Sequence, residues 1–150
     1  MSELATVAVT HRYSLPREKV FNAFLDVEIA RRFMFATATG EMIEAELDPS
    51  VGGRFVFTER RPEMGDVRHV GEFLEIDLPR RLAFSFGVPQ FDPAMTMVTL
   101  ELEPDGEGSR LILTHEGVGK AWAEGTKDGW RRILAGLEPA LLGVTAAGWR

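Results

Sequence analysis

Between Glu41 and His115 the chain runs through six segments in which apolar residues tend to fall at every second position, and only afterwards does it adopt a helical period. No other feature constrains the fold as strongly. A period of two gives each strand one apolar face and one wet face, and a sheet with one apolar face needs a cover. Ile43, Ala45 and Leu47 alternate with Glu44 and Glu46; Phe55 and Phe57 alternate with Arg54, Val56 and Thr58. Val67–Ile76 is a third strand, and Leu82, Phe84 and Phe86 define a fourth. Val98, Leu100 and Leu102 define the next, followed by Leu111, Leu113 and His115. Turn chemistry separates them at Asp48–Gly53, Asp77–Arg80 and Pro104–Gly108.

The segment before this run opens with a Val- and Thr-rich strand over Leu4–Ser14. Pro16 then suits a first helical turn, and Val20, Phe21, Phe24 and Leu25 follow at helical spacing. Asp26 is a capping residue for a second short helix carrying Ile29 and Phe33. At the other end, Trp122–Leu142 predicts a helix of ~20 residues, ~30 Å long. Trp130, Ile133, Leu134, Leu137 and Leu141 share one face of it, with Lys127, Arg131 and Glu138 opposite. Gly125, Gly129, Gly136 and Ala140 form a stripe beside the apolar face, and Pro139 predicts a kink. Each interior glycine costs a helix ~1 kcal/mol. The stripe therefore implies either close approach to the sheet or volume left for a ligand.

The expected architecture is α+β: a seven-stranded antiparallel sheet, two short helices after the first strand, and a long C-terminal helix laid across the sheet. With 150 residues, 45% of them apolar, the chain is expected to form one domain and is neither disordered nor collagen-like. The absence of cysteine removes disulfides, thiolate nucleophiles and sulfur-ligated zinc. A net charge of −6 makes nucleic acid and anionic membranes poor partners. No signal-peptide pattern and no apolar run of ~20 residues occurs, so a soluble cytoplasmic protein is expected.

At this point the residues resemble the START-like or SRPBCC superfamily, the helix-grip fold. Within it they are similar to the branch named after the activator of the heat-shock-protein-90 ATPase. The resemblance rests on Pro16-Arg17-Glu18-Lys19-Val20-Phe21, on Asp48 through Phe55, and on Gly71-Glu72-Phe73-Leu74-Glu75-Ile76. It continues with Pro79-Arg80-Arg81-Leu82, Leu111 through Gly117, and Gly129-Trp130. Two departures stand out: Phe33-Met34 and Ser85-Phe86 occupy places where many relatives carry tryptophan. The resemblance implies a strongly curved sheet gripping the terminal helix over an apolar cavity. It also implies a choice among ligand carriers, co-chaperones and cyclase-type enzymes, which fold alone does not make.

No catalytic motif is present. His11, His69 and His115 lack metal-ligand spacing, and no cofactor motif occurs. His11 and His69 read as structural or exposed. His115 shares parity with Leu111 and Leu113 and is either a hydrogen-bonded core residue or a polar anchor for a ligand. Glu44/Glu46 and Glu101/Glu103 lie opposite apolar faces and read as solvated pairs, whereas Glu75 shares parity with Phe73 and is the candidate buried acid unless a bulge intervenes. The paired arginines, Arg60-Arg61 and Arg131-Arg132 among them, read as solvated or ion-paired. The set expected between sheet and helix is Phe55, Phe57, Phe73, Phe84, Phe86, Leu100, Leu113, His115, Trp130, Ile133 and Leu137. It is either an ordinary core or the wall of a pocket for a small hydrophobic molecule. Alternatives are docking on a chaperone ATPase, or cyclase or dehydratase chemistry using Glu75 and His115. Homodimerisation stays open.

Overall fold

The computed structural model describes residues 3–145. Its seven strands are β1 (Leu4–Tyr13), β2 (Glu41–Leu47), β3 (Arg54–Arg61), β4 (Gly65–Asp77), β5 (Arg81–Val88), β6 (Asp92–Asp105) and β7 (Gly108–Gly119). They form one antiparallel sheet in the order β1-β7-β6-β5-β4-β3-β2. Helices α1 (Arg17–Ala23) and α2 (Val27–Ala30) follow β1, and a 3₁₀ turn at Lys120–Trp122 leads into α3 (Ala123–Thr145). Trp149, a fluorophore by sequence, lies outside the described residues.

Local chemistry accounts for the element boundaries. The Asp26 carboxylate accepts the Glu28 backbone N–H at 3.0 Å and starts α2. Gly106 (φ 61°) makes the β6–β7 turn, where a side chain would be strained. Helix α3 continues past Pro139 as one element.

Register aligns the apolar faces. Val9, Leu113, Leu100 and Leu82 lie opposite one another along one row, and Val7, His115, Val98, Phe84 and Phe73 along the next. These faces close on Trp130, Ile133, Leu134, Leu137 and Ala140 of α3, all buried. Two tethers hold the helix down. The Tyr13 hydroxyl, fully buried, donates to the Leu134 carbonyl at 2.7 Å. Ser14 donates from its backbone N–H and its hydroxyl to the two oxygens of Glu138, at 2.7 and 3.0 Å.

Two bulges reassign faces that strict alternation predicts otherwise. In β2 the register shifts between Met42 and Glu44, so Met42 packs on the core with Ala45 and Leu47 while Ile43 is exposed. In β4 a shift between Phe73 and Glu75 turns Glu75 outward, where it accepts from Arg81 Nε at 2.8 Å. Glu75 is therefore a surface residue, and the buried acid expected there is elsewhere.

Candidate functional site: an aromatic cavity under the start of the terminal helix

Most of the space between sheet and helix is filled. Phe55, Phe73 and Phe84 meet edge-to-face or tilted, with ring centroids 5.4–6.4 Å apart, and Leu100, Leu113 and Leu137 are fully buried around them. These six residues make an interdigitated core.

Toward the first turns of α3 the filling stops. A cavity of about 440 Å³ lies between the helix, the ends of β3, β4 and β5, and the segment Phe35–Thr37. Of the residues expected from sequence, Phe86, Trp130 and Ile133 line it. Phe57 sits one ring behind, 5.9 Å from Phe35. His115 backs the wall, 5.6 Å from Phe86 and 5.9 Å from Trp130. Exposed Phe91 and Trp122 stand at the rim.

Close approach to the sheet does not explain the glycine stripe. A Cβ at Gly125 or Gly129 would meet nothing within 4 Å, and both residues line the cavity. A Cβ at Gly136 would touch Phe33 at 3.4 Å, an ordinary packing distance. The first two leave volume, and the third packs against the segment after α2 with room for a methyl group.

Phe35 organises the wall, and periodicity gave no hint of it. It belongs to no helix or strand and has φ 59°, a left-handed conformation that is rare for a bulky residue. That backbone lays its ring nearly parallel to His69 (centroids 4.4 Å, 6°) and to Phe86 (5.0 Å, 11°). Trp130 stands across these planes at 61° and 65° to Phe35 and Phe86. The result is a packed stack of near-parallel rings with the indole standing across it, which together form one wall of the cavity.

The two inward histidines are neutral for a geometric reason. Indole N–H can only donate, so Trp130 Nε1–H donates to His115 Nδ1 at 2.9 Å, and the imidazole proton sits on Nε2. That Nε2–H donates to Thr96 Oγ1 at 2.7 Å, and the Thr96 hydroxyl donates to the Phe86 carbonyl at 2.8 Å. His115 thus spends both nitrogens inside the protein, and burial pushes its pKa down to about 4. His69 donates from Nδ1 to the Phe57 carbonyl at 3.0 Å, and burial likewise holds it at about 4. His69, expected to be structural or exposed, is buried, and the parity it shares with Val67 and Phe73 is the signal in the sequence that marks this face.

The buried acid is Glu59, 1% exposed, on the same β3 face as Phe55 and Phe57. Its Oε2 accepts the Thr37 backbone N–H (2.6 Å) and hydroxyl (3.1 Å), and its Oε1 accepts Arg61 Nε–H (2.6 Å). It ties the segment carrying Phe35 to the sheet and orients Arg61, which also reaches the Phe35 carbonyl at 3.4 Å. Among the described residues no group of carboxylates and histidines has metal-binding geometry, and no helix is long and apolar enough to cross a membrane.

Known proteins share this fold. Residues 14–141 match the family model described as Activator of Hsp90 ATPase homolog 1-like protein. No curated protein matches the chain in sequence. Among solved structures, the Mll3558 protein from Rhizobium loti is 27% identical, with a TM-score of 0.77 over 93% of this chain and 99% of that one. An HSP90 activator from Plasmodium falciparum is 26% identical, with a TM-score of 0.68 over 91% and 95%. An AHSA1-like protein from Aeromonas hydrophila shares the fold at 20% identity, with a TM-score of 0.77 over 97% and 96%. The family match spans nearly the whole helix-grip core, from the residue after β1 to the last turns of α3, and the chain accordingly belongs to the Activator of Hsp90 ATPase homolog 1-like family of the START-like superfamily.

Proposed function

We propose that this protein binds a small hydrophobic molecule in the cavity beneath the start of α3. One observation carries the reading: Gly125 and Gly129 leave open space beside Phe35, Phe86, Trp130 and Ile133 where larger residues would complete a core. A volume of about 440 Å³ falls within the ~300–1,000 Å³ range of ligand sites. The aromatic wall offers dispersion and edge-to-face contacts to a flat guest. Phe55, Phe73, Phe84, Leu100, Leu113 and Leu137 act as the rigid backing that keeps the cavity shaped.

The test is titration with a panel of lipids, flavonoids and polyketide-like aromatics, read by quenching of Trp122 and Trp130 and by thermal shift. A true ligand quenches saturably and stabilises the fold by about 2.7 kcal/mol at a hundredfold excess over Kd. Gly129→Leu should fill the cavity, keep the fold and abolish both signals. A panel with no saturable member, or binding unchanged in Gly129→Leu, would refute the reading.

A second reading is docking on a chaperone ATPase, favoured by the family description and by the 26% identity to a Plasmodium falciparum HSP90 activator. Exposed Phe91 and Trp122 supply an apolar contact at the cavity rim. Co-sedimentation with a purified chaperone of the HSP90 class, lost on Trp122→Ala, would support it; no complex at micromolar concentrations would count against it. The cyclase or dehydratase reading named Glu75 and His115: Glu75 faces outward, and His115, though buried, has both ring nitrogens hydrogen-bonded within the protein.

A further inference from the structure

We infer that the cavity selects an anionic planar aromatic, an aryl carboxylate, over neutral or cationic molecules of the same shape; this rests on the proposed binding site. The first observation is the sign of the wall. The chain carries a net charge of −6, yet among the described residues lining the cavity the charged side chains are Arg61 and Arg132, with no aspartate or glutamate. An acidic protein that lines its cavity with guanidinium groups alone has inverted its own charge balance there.

The second observation separates the two arginines. Arg61 is neutralised by Glu59 through its Nε–H at 2.6 Å, and its terminal nitrogens make only long contacts, to the Phe35 carbonyl at 3.4 Å and the Met64 sulfur at 4.0 Å, so each keeps a further N–H to donate. Arg132 has no ion-pair partner among the described residues, because the neighbouring Asp128 carboxylate pairs with Arg131 at 3.4 Å. The lining therefore carries about one uncompensated positive charge next to hydrogen-bond donors. A carboxylate satisfies both, since guanidinium presents paired N–H groups to its two oxygens. An ammonium would meet the uncompensated charge of Arg132 and no unpaired carboxylate among the lining residues.

The third observation is shape. Phe35, His69 and Phe86 present near-parallel rings, within 17° of one another, with Trp130 across them. These rings stack on one another and so present a rigid aromatic wall, against which a flat ring system packs better than a branched or coiled chain does.

Calorimetric titration at neutral pH with three shape-matched probes tests this: 2-naphthoate, methyl 2-naphthoate and 2-naphthylmethylammonium. The expected order is naphthoate first, ester second and ammonium last. Arg132→Gln should weaken naphthoate about fivefold while moving the ester less than about twofold. Arg132→Lys should restore part of the loss, and Lys127→Gln, which removes the same charge away from the cavity, should change neither. Arg132 is exposed, so these variants are expected to fold, and their unliganded melting temperatures check that. An ester that binds as well as naphthoate, or equal losses for both in Arg132→Gln, overturns the anion preference and leaves the hydrophobic site standing. Failure of all three probes overturns the anion preference and counts against the binding site itself.

Discussion

Burial of His69 and His115 makes a titration argument available at the level of single residues. Both imidazoles are held at about 4, against an ordinary value of 6.5, because burial disfavours the charged form. The folded protein thus binds fewer protons than the unfolded chain between those values. Their contribution to stability is complete above pH ~6.5 and is lost as pH falls toward ~4. From pH about 7.5 to about 5 each histidine should remove about 2 kcal/mol of folding stability. Urea melts at the two pH values measure the sum, and proton NMR of the imidazole resonances assigns it. Midpoints near 6.5 for both rings, or a protein no less stable at the lower pH, would contradict the network drawn for them. The same network explains why the His115 side chain is better described as scaffolding than as an anchor: protonating Nδ1 would break the bond from Trp130 and loosen the wall.

Among the elements, β4 and α3 show how glycine serves opposite ends. A Cβ at Gly71 would overlap the Ser85 carbonyl oxygen and the Phe55 ring, so this residue lets β4 and β5 approach under an aromatic core. Gly71→Ala should therefore cost at least about 2 kcal/mol. Gly125→Ala, in α3 with open space around it, should instead stabilise by about 0.5–1 kcal/mol through helix propensity. Chemical denaturation of the two variants decides the matter, and a destabilised Gly125→Ala would mean the space beside α3 is not open in solution. The bulges in β2 and β4 belong to this scale too. Each inserts one residue, and with it Ile43 and Glu75 leave the face that alternation assigns to them.

For the molecule as a whole, the cavity exists only because α3 is held at a set height above the sheet. The far half of the helix buries Leu134 and Leu137 in the same core as Leu100 and Leu113, and Tyr13 and Ser14 tether it at Leu134 and Glu138. The near half spans the gap that Phe35 walls on one side. Tyr13→Phe removes one buried hydrogen bond and leaves the Leu134 carbonyl without its side-chain donor, for an expected loss of about 1–2 kcal/mol. Thermal unfolding checks the loss. A tether of this kind also predicts faster hydrogen exchange along α3 in the variant, and exchange unchanged from the parent would show that packing alone holds the helix.

What the amino-acid order determined unaided is the list of elements, their order and the composition of the shared core. Period-two and period-3.6 patterns report which face of each element is apolar, and turn residues punctuate them locally. Parity carried a signal for His69, an even step from buried Val67 and Phe73, but did not single out Glu59, because Val56 and Thr58 at the alternate positions of β3 are buried too. The tertiary structure decided three things. Bulges shifted parity by one at Ile43 and Glu75, an effect that depends on the partner strand. Phe35 reached the wall through a left-handed backbone set by long-range contacts with His69, Phe57 and Phe86, which no local pattern encodes. Whether Phe86, Trp130 and Ile133 surround a filled or an empty volume turned on the spacing between helix and sheet. Core and cavity walls share one composition, and only the distance between packed surfaces separates them.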